Sequence, residues 1–219
     1  MPLTSGESYS TPNRGTMKKL LILLLLLSPC LAEVPAYQQI ISGKQVGPVT
    51  INSTRADIAA IVGTAYMEEG EVYLGEGMTS PATVVYPGHP NRTIKVVWKP
   101  GPKETATPES VWIMGEESEW KTPSGISLGT GLAELQKLNG VPFALLGFEW
   151  DLGGGVNSWG GDLEDEMRDI YVRLKLPENA YQLAGEEMLT QVVGDREVSS
   201  SHPVFQKVNP VIDRIVVTF

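Results

Sequence analysis

Two histidines, His89 and His202, are the only imidazoles in the chain, and each stands beside a proline. His202 closes the run Ser199-Ser200-Ser201-His202-Pro203, with Asp195 and Glu197 just upstream. Serine, imidazole and carboxylate are the parts of a nucleophilic hydrolase, in which the base activates the hydroxyl and the acid orients the base. Residues this close along a chain rarely converge, and no Gly-x-Ser-x-Gly elbow accompanies them. The segment reads first as a polar turn whose hydroxyls bond nearby backbone. Carboxylates gather at Glu68, Glu69 and Glu71, at Glu116, Glu117 and Glu119, and at Asp162, Glu164, Asp165 and Glu166. Paired acids could do glycosidase chemistry or hold Ca²⁺. Asp162, Glu164 and Asp165 are the set to choose for calcium, but glycines stand between Asp151 and Asp162 where a calcium loop needs oxygen ligands. Solvated acidic turns are the expectation, with no resident metal.

All five tryptophans, Trp98, Trp112, Trp120, Trp150 and Trp159, fall within residues 98–159. Trp150 and Trp159 flank the turn Asp151-Leu152-Gly153-Gly154-Gly155, followed by Val156-Asn157-Ser158. Aromatic faces beside mobile glycines, with Asp151 and Asn157 as polar partners, could form a shallow platform for a sugar or peptide. Trp150, Asp151, Asn157 and Trp159 are therefore the candidate binding residues. The plainer reading is a hairpin whose tryptophans cover a small sheet.

Other chemistries are missing from the sequence. There is no phosphate loop, no dinucleotide fingerprint and no His-based zinc motif, so no cofactor is expected. The one cysteine, Cys30, excludes cysteine metal clusters and an internal disulfide. Lys and Arg number 17 against 26 Asp and Glu, a formal charge of −9, and such a field repels nucleic-acid phosphates.

Residues Leu20 to Leu27 form a Leu/Ile run preceded by Lys18-Lys19 and followed by Ser28-Pro29-Cys30-Leu31-Ala32. A basic head, a short apolar stretch and small residues before a cut describe a secretory signal, here 1–32, with Met17 an alternative start. The run is too short to span a membrane, which needs ~20 apolar residues. Leu27-Ser28-Pro29-Cys30 also resembles a lipobox, departing from it at Pro29, so a lipid anchor on Cys30 is the alternative to a soluble periplasmic or secreted product. The sequons at Asn52 and Asn91 would matter only on a eukaryotic route, and this signal reads as bacterial.

The elements that must position these residues show an internal repeat. Ile51-Asn52-Ser53-Thr54-Arg55-Ala56-Asp57-Ile58-Ala59-Ala60-Ile61-Val62-Gly63 lies over residues 128–140, from Leu128 to Gly140, without a gap at an offset of 77. Ser53 and Thr130 are expected N-caps, with Asp57 and Glu134 in the first turn, where the positive end of the helix favours them. Ile58/Ile61 and Leu135/Leu138 share a helix face, and Gly63 and Gly140 end it. Val49-Thr50-Ile51 and Ile126-Ser127-Leu128 read as strands entering the two helices. Further strands are expected at 72–74, 83–86, 93–98, 111–113, 143–148, 156–159, 169–174 and 212–219. Leu189 and Val192 before Gly194 suggest a third, reduced copy.

The repeated helix-entry motif and helix resemble the module of small outer-membrane assembly lipoproteins of the SmpA/OmlA type and the tandem repeats of the β-lactamase inhibitor protein. The usual Gly-Met-Thr entry of the former stands here as Asn52-Ser53-Thr54 and Gly129-Thr130-Gly131. Gly125 to Thr130, Leu138 to Phe143 and Ser199 to Pro203 are similar to an uncharacterised family of exported bacterial proteins, which implies no catalytic residues.

The expected fold is α+β, a tandem repeat of one short helix on a small antiparallel sheet with a degenerate C-terminal third. Unit one covers 33–103, unit two 104–178 and the third 179–219, around one continuous core. The expected function is non-enzymatic: an exported binding or interaction protein of the bacterial envelope, its partner an envelope protein or glycan. The alternative is a periplasmic hydrolase of cell-wall material using His202 or an acidic pair.

Overall fold

The alternating apolar stretches of the sequence become paired strands, and the two matched segments become helices. The computed structural model describes residues 36–219. The signal-like run, Met17 and Cys30 lie outside them. Strands β1 (Ile40–Ile41), β2 (Gln45–Val46) and β3 (Val49–Thr50) form a small antiparallel sheet that leads into helix α1 (Arg55–Val62). Next come β4 (Met67–Gly75), β5 (Met78–Val85), β6 (Ile94–Trp98) and β7 (Pro108–Met114), an antiparallel meander. Helix α2 (Leu132–Asn139) precedes β8 (Ala144–Leu146), β9 (Val156–Ser158) and β10 (Ile170–Lys175). The chain ends through α3 (Ala180–Ala184), α4 (Glu186–Leu189), β11 (Glu197–Ser199), α5 (Phe205–Val208) and β12 (Val211–Thr218).

The main sheet has six strands in the order β10-β12-β7-β6-β5-β4, all antiparallel. A second sheet has the order β11-β8-β9. An isolated bridge between Gly155 and Arg173 links it to the β10 edge. Successive side chains of a strand point to opposite faces, and one face of the main sheet is apolar: Val85, Ile94, Val96, Val111, Ile113, Ile215 and Val217 are all within 1 % exposure. Ile58 of α1, Leu132 and Leu135 of α2, Leu189 of α4 and Phe205 of α5 pack into the same core. The opposite face carries only a small cluster of Val72, Ala82 and Val97, with Trp112 against it. The fold is therefore α+β, with antiparallel sheets and a few short helices.

The two helices expected from the repeat are both present, each of eight residues. Their caps differ from the expectation. Thr54, not Ser53, caps α1: its hydroxyl accepts the Asp57 N–H, and the Asp57 carboxylate accepts the Thr54 N–H at 2.8 Å, a capping box. Ser53 is buried, and its hydroxyl accepts the Thr50 N–H. At α2 the N-cap is Gly131, and the orphan Ala133 N–H is satisfied by the Asn209 side chain, from the turn after α5. Thr130 instead accepts the Ser127 N–H. Ile126-Ser127-Leu128 is buried but forms no strand, because its neighbour Thr122 bonds Ile126 in a local turn. After α1 the chain makes a continuous meander, whereas after α2 it builds a separate sheet with β11.

Hydrogen bonds from the Thr54 backbone and then its hydroxyl hold the Asp57 carboxyl below its ordinary pKa. A depressed carboxylate stabilises the fold above its unfolded pKa, and that contribution is lost as pH falls through the folded value. We expect Thr54→Ala to cost about 1 kcal/mol at neutral pH, the usual worth of an N-cap hydroxyl. The difference from wild type should shrink on acidification below the ordinary aspartate range, as read by urea denaturation across pH.

Candidate functional site

The four residues singled out in the sequence sit on the β8–β9 hairpin, where Ala144 pairs with Ser158 and Leu145 with Val156. The connecting loop, residues 147–155, is pinned on both flanks. Gly147 N–H donates to Arg196 O, Phe148 N–H to Val192 O, and Gly194 N–H to Phe148 O. Gly154 has φ +79, and a Cβ there would meet the Leu174 carbonyl oxygen at 2.0 Å. The glycine run is thus a close backbone approach, with Leu174 N–H donating to Gly154 O at 2.8 Å, rather than a mobile platform.

The hairpin sends its two tryptophans to different places. Trp159 is 6 % exposed and packs on Phe143, ring centres 4.9 Å apart. Its carbonyl accepts from the buried Asn139 side chain. Trp150 is half-buried, with its indole N–H donating to Gly147 O at 2.6 Å. Asn157 is exposed and donates to the Glu197 carboxylate at 2.7 Å. Asn157 and Trp159 border a cavity of about 500 Å³ with Ser158, Asp169, Tyr171 and Thr218. Trp150 and Asp151 border another of about 490 Å³, so the structure does not bring the four into one surface.

The second cavity contains residues that sequence reasoning missed. Leu74, Gly75, Glu76 and Met78, at the tip of the β4–β5 hairpin, line it together with Trp150, Asp151 and Leu152. Glu76 (φ 49) and Gly77 (φ 77) are the two central residues of that tight turn, both left-handed, as a two-residue hairpin requires. Leu74, Met78 and Leu152 are 46 %, 55 % and 51 % exposed. The available signal was local: Leu74 and Met78 bracket a Gly-Glu-Gly turn, where a hairpin tip is usually polar.

Beside the same loop, Glu149 holds a left-handed backbone (φ 64) and its carboxylate accepts the Tyr181 hydroxyl at 2.9 and 3.0 Å. That bond, then partial desolvation, raises the Tyr181 pKa. Nearby Arg173 forks onto Asp213, which raises the guanidinium pKa further. These groups share a cavity of about 330 Å³ with Lys175 and Pro177.

Elsewhere the polar residues are spent locally. His202 accepts the Val204 N–H through Nδ1 and makes no side-chain bond to a serine. Ser199 and Ser201 bond each other, and buried Ser200 accepts the Phe143 N–H and a Gln136 amide. Glu164 accepts the Gly160 N–H, and Asp165 pairs with Arg168. Asp162, Glu164 and Asp165 do not converge, and among the described residues no three His, Cys, Asp or Glu side chains form a metal-holding group. Nor, among them, is any helix long and apolar enough to cross a membrane.

Compared with family models, curated proteins and solved structures, the chain matches none of them.

Trp159 belongs to the core and Trp150 to the rim of a cavity, so their truncations should separate. Trp159→Ala is expected to cost about 3–5 kcal/mol, and Trp150→Ala about 1 kcal/mol, measured by equilibrium unfolding followed by far-ultraviolet circular dichroism.

Proposed function

We propose that this protein is a non-enzymatic binding protein exported to the bacterial envelope, and that the cavity between the β4–β5 tip and residues 150–152 is its contact surface. The observation that carries the reading is the meeting of Leu74, Met78, Trp150 and Leu152, brought from distant parts of the chain to one partly open cavity. Contiguous exposed apolar surface of this kind marks interaction sites. Its volume lies within the range of small-ligand pockets, ~300–1,000 Å³. An apolar floor favours the side chains of a protein partner over a glycan, whose hydroxyls need polar partners. Glu76 and Asp151 stand beside it, so the partner is expected to present an apolar anchor within a neutral or basic rim.

Export rests on the signal-like residues 1–32, and residues 33–219 contain no cysteine that an oxidising compartment could cross-link. The duplication reading rests on the gapless offset and on the equal length of α1 and α2, each followed by glycine.

Trp150 is the reporter for the test. Titration of the protein with envelope extract should blue-shift its tryptophan emission. The shift should persist in Trp112→Phe and disappear in Trp150→Phe. The pair Met78→Ser and Leu152→Ser should weaken binding at least tenfold, about 1.4 kcal/mol. A response unchanged by those two substitutions would place the contact surface elsewhere.

A further inference from the structure

The face of the six-stranded sheet opposite its apolar core carries two guanidinium groups directly opposite each other. Arg173 of β10 and Arg214 of β12 are register partners, and like charges in that relation repel. Only one of them is bonded to a counter-charge. The register of β12 shifts between Arg173 and Leu174, whose partners are Arg214 and Ile212, which leaves Asp213 as the extra residue of a bulge. Its carboxylate takes the Arg173 fork, Nε to Oδ1 at 3.0 Å and Nη2 to Oδ2 at 2.6 Å. The Arg214 side chain forms no hydrogen bond or ion pair with a described residue, and its Nε is both hidden from solvent and without a partner.

Arg214 is also held in place. Its guanidinium carbon lies 5.3 Å from the centre of the Trp112 ring, a cation–π distance. Burial, then the neighbouring Arg173 charge, lowers its pKa, the direction expected of a cation that lacks its anion. One row along the sheet, Tyr171, Val216 and Trp112 stand side by side. The Tyr171 hydroxyl has no hydrogen bond to a described residue either, and it rests against Gly155. The two guanidinium groups share one bonded carboxylate, Asp213, while Glu149 and Glu178 line the same cavity as Arg173 without bonding either of them. Buried polar groups without partners are rare enough to need a reason, and service to a binding partner is one.

We propose that Arg214, with Arg173 beside it, is the seat for an oxyanion, a carboxylate or phosphate group. A guanidinium is the side chain best suited to such groups, because its planar fork matches their oxygens. Docking of the oxyanion supplies the bonded counter-charge that Asp213, forked onto Arg173, gives Arg214 only through space.

Arginine Nε–H signals test this in protein labelled with nitrogen-15 arginine. Acetate and phosphate are titrated against chloride at matched ionic strength. The Arg214 signal, assigned by its loss in Arg214→Gln, should shift and saturate with either oxyanion. The signals of exposed Arg168 and Arg196 should follow only the general salt response. Arg214→Gln should abolish the saturable shift of the Arg173 signal. Arg214→Lys, which keeps the charge and stem but not the fork, should weaken that shift about fivefold and carries the test if the glutamine variant does not fold. Tighter binding of hexanoate than of acetate would assign the group to an organic acid whose tail lies on Trp112. Equal binding would assign it to a free anion. An Arg214 signal that moves no more than those of Arg168 and Arg196, or moves equally in chloride, overturns the proposal and leaves this arginine as a cover for Trp112.

Discussion

The pairing of β12 between β7 and β10 is the constraint on which the rest of the molecule depends. The last strand of the chain occupies an interior position of the main sheet. It faces Ser110–Met114 on one side and Ile170–Lys175 on the other. Without it the β4–β7 meander and β10 share no ladder. Ile212, Ile215 and Val217 are fully buried from this one strand, so its insertion also closes the core. The residues leading into it hold α2: Leu132 N–H donates to Pro210 O, and Asn209 caps Ala133. Pairing at this sequence separation has a loop-closure cost that local contacts do not meet. Completion of the sheet therefore waits for the C-terminal strand.

That dependence explains which parts of the fold were legible in the sequence. Period-two alternation reports a strand whoever its partner is, and residues 93–98, 111–113, 169–174 and 212–219 all coincide with strands. Helix α1 was readable because its acid and its terminal glycine lie within ten residues of its start, although its cap is Thr54, one residue after the Ser53 expected. The cap of α2 was not, because Asn209 lies 76 residues beyond Ala133. Ile126-Ser127-Leu128 fails for a related reason. A buried loop and a strand bury the same apolar residues, and only a partner's backbone distinguishes them. The two copies of the apparent repeat share local grammar, a capped helix ended by glycine. The path of the chain after each copy is set by distant strands, which a gapless alignment cannot register.

The candidate site was legible in half. A tryptophan is recognisable in sequence, but its side of a hairpin depends on register and bulges. The shift between Ala144 and Leu145 in the β8–β9 pairing is such an irregularity, and Trp159 ends beneath Phe143 while Trp150 stays at the surface. The glycine run looked permissive, yet Gly154 is demanded by the Leu174 carbonyl beside it. The apolar tip of β4–β5 passed as ordinary strand, since Val72, two residues earlier, really is buried. Its proximity to Trp150 is a property of the folded sheet alone.

The charge arrangement separates stability from function at one residue. Arg92 is paired with Glu119, Lys103 with Glu69, Arg168 with Asp165 and Arg173 with Asp213. Arg214 departs from this economy: it is half-buried, faces a like charge and hides an unpaired Nε. For stability alone, an uncharged side chain of similar length over Trp112 would keep the ring contact and relieve both the repulsion and the desolvation. The sheet elsewhere shows that it can fill such a position, with Val216 and Val97 on the same face. An arginine here is therefore a cost to the free protein that an incoming anion can offset, which is the pattern expected where stability is given up for binding.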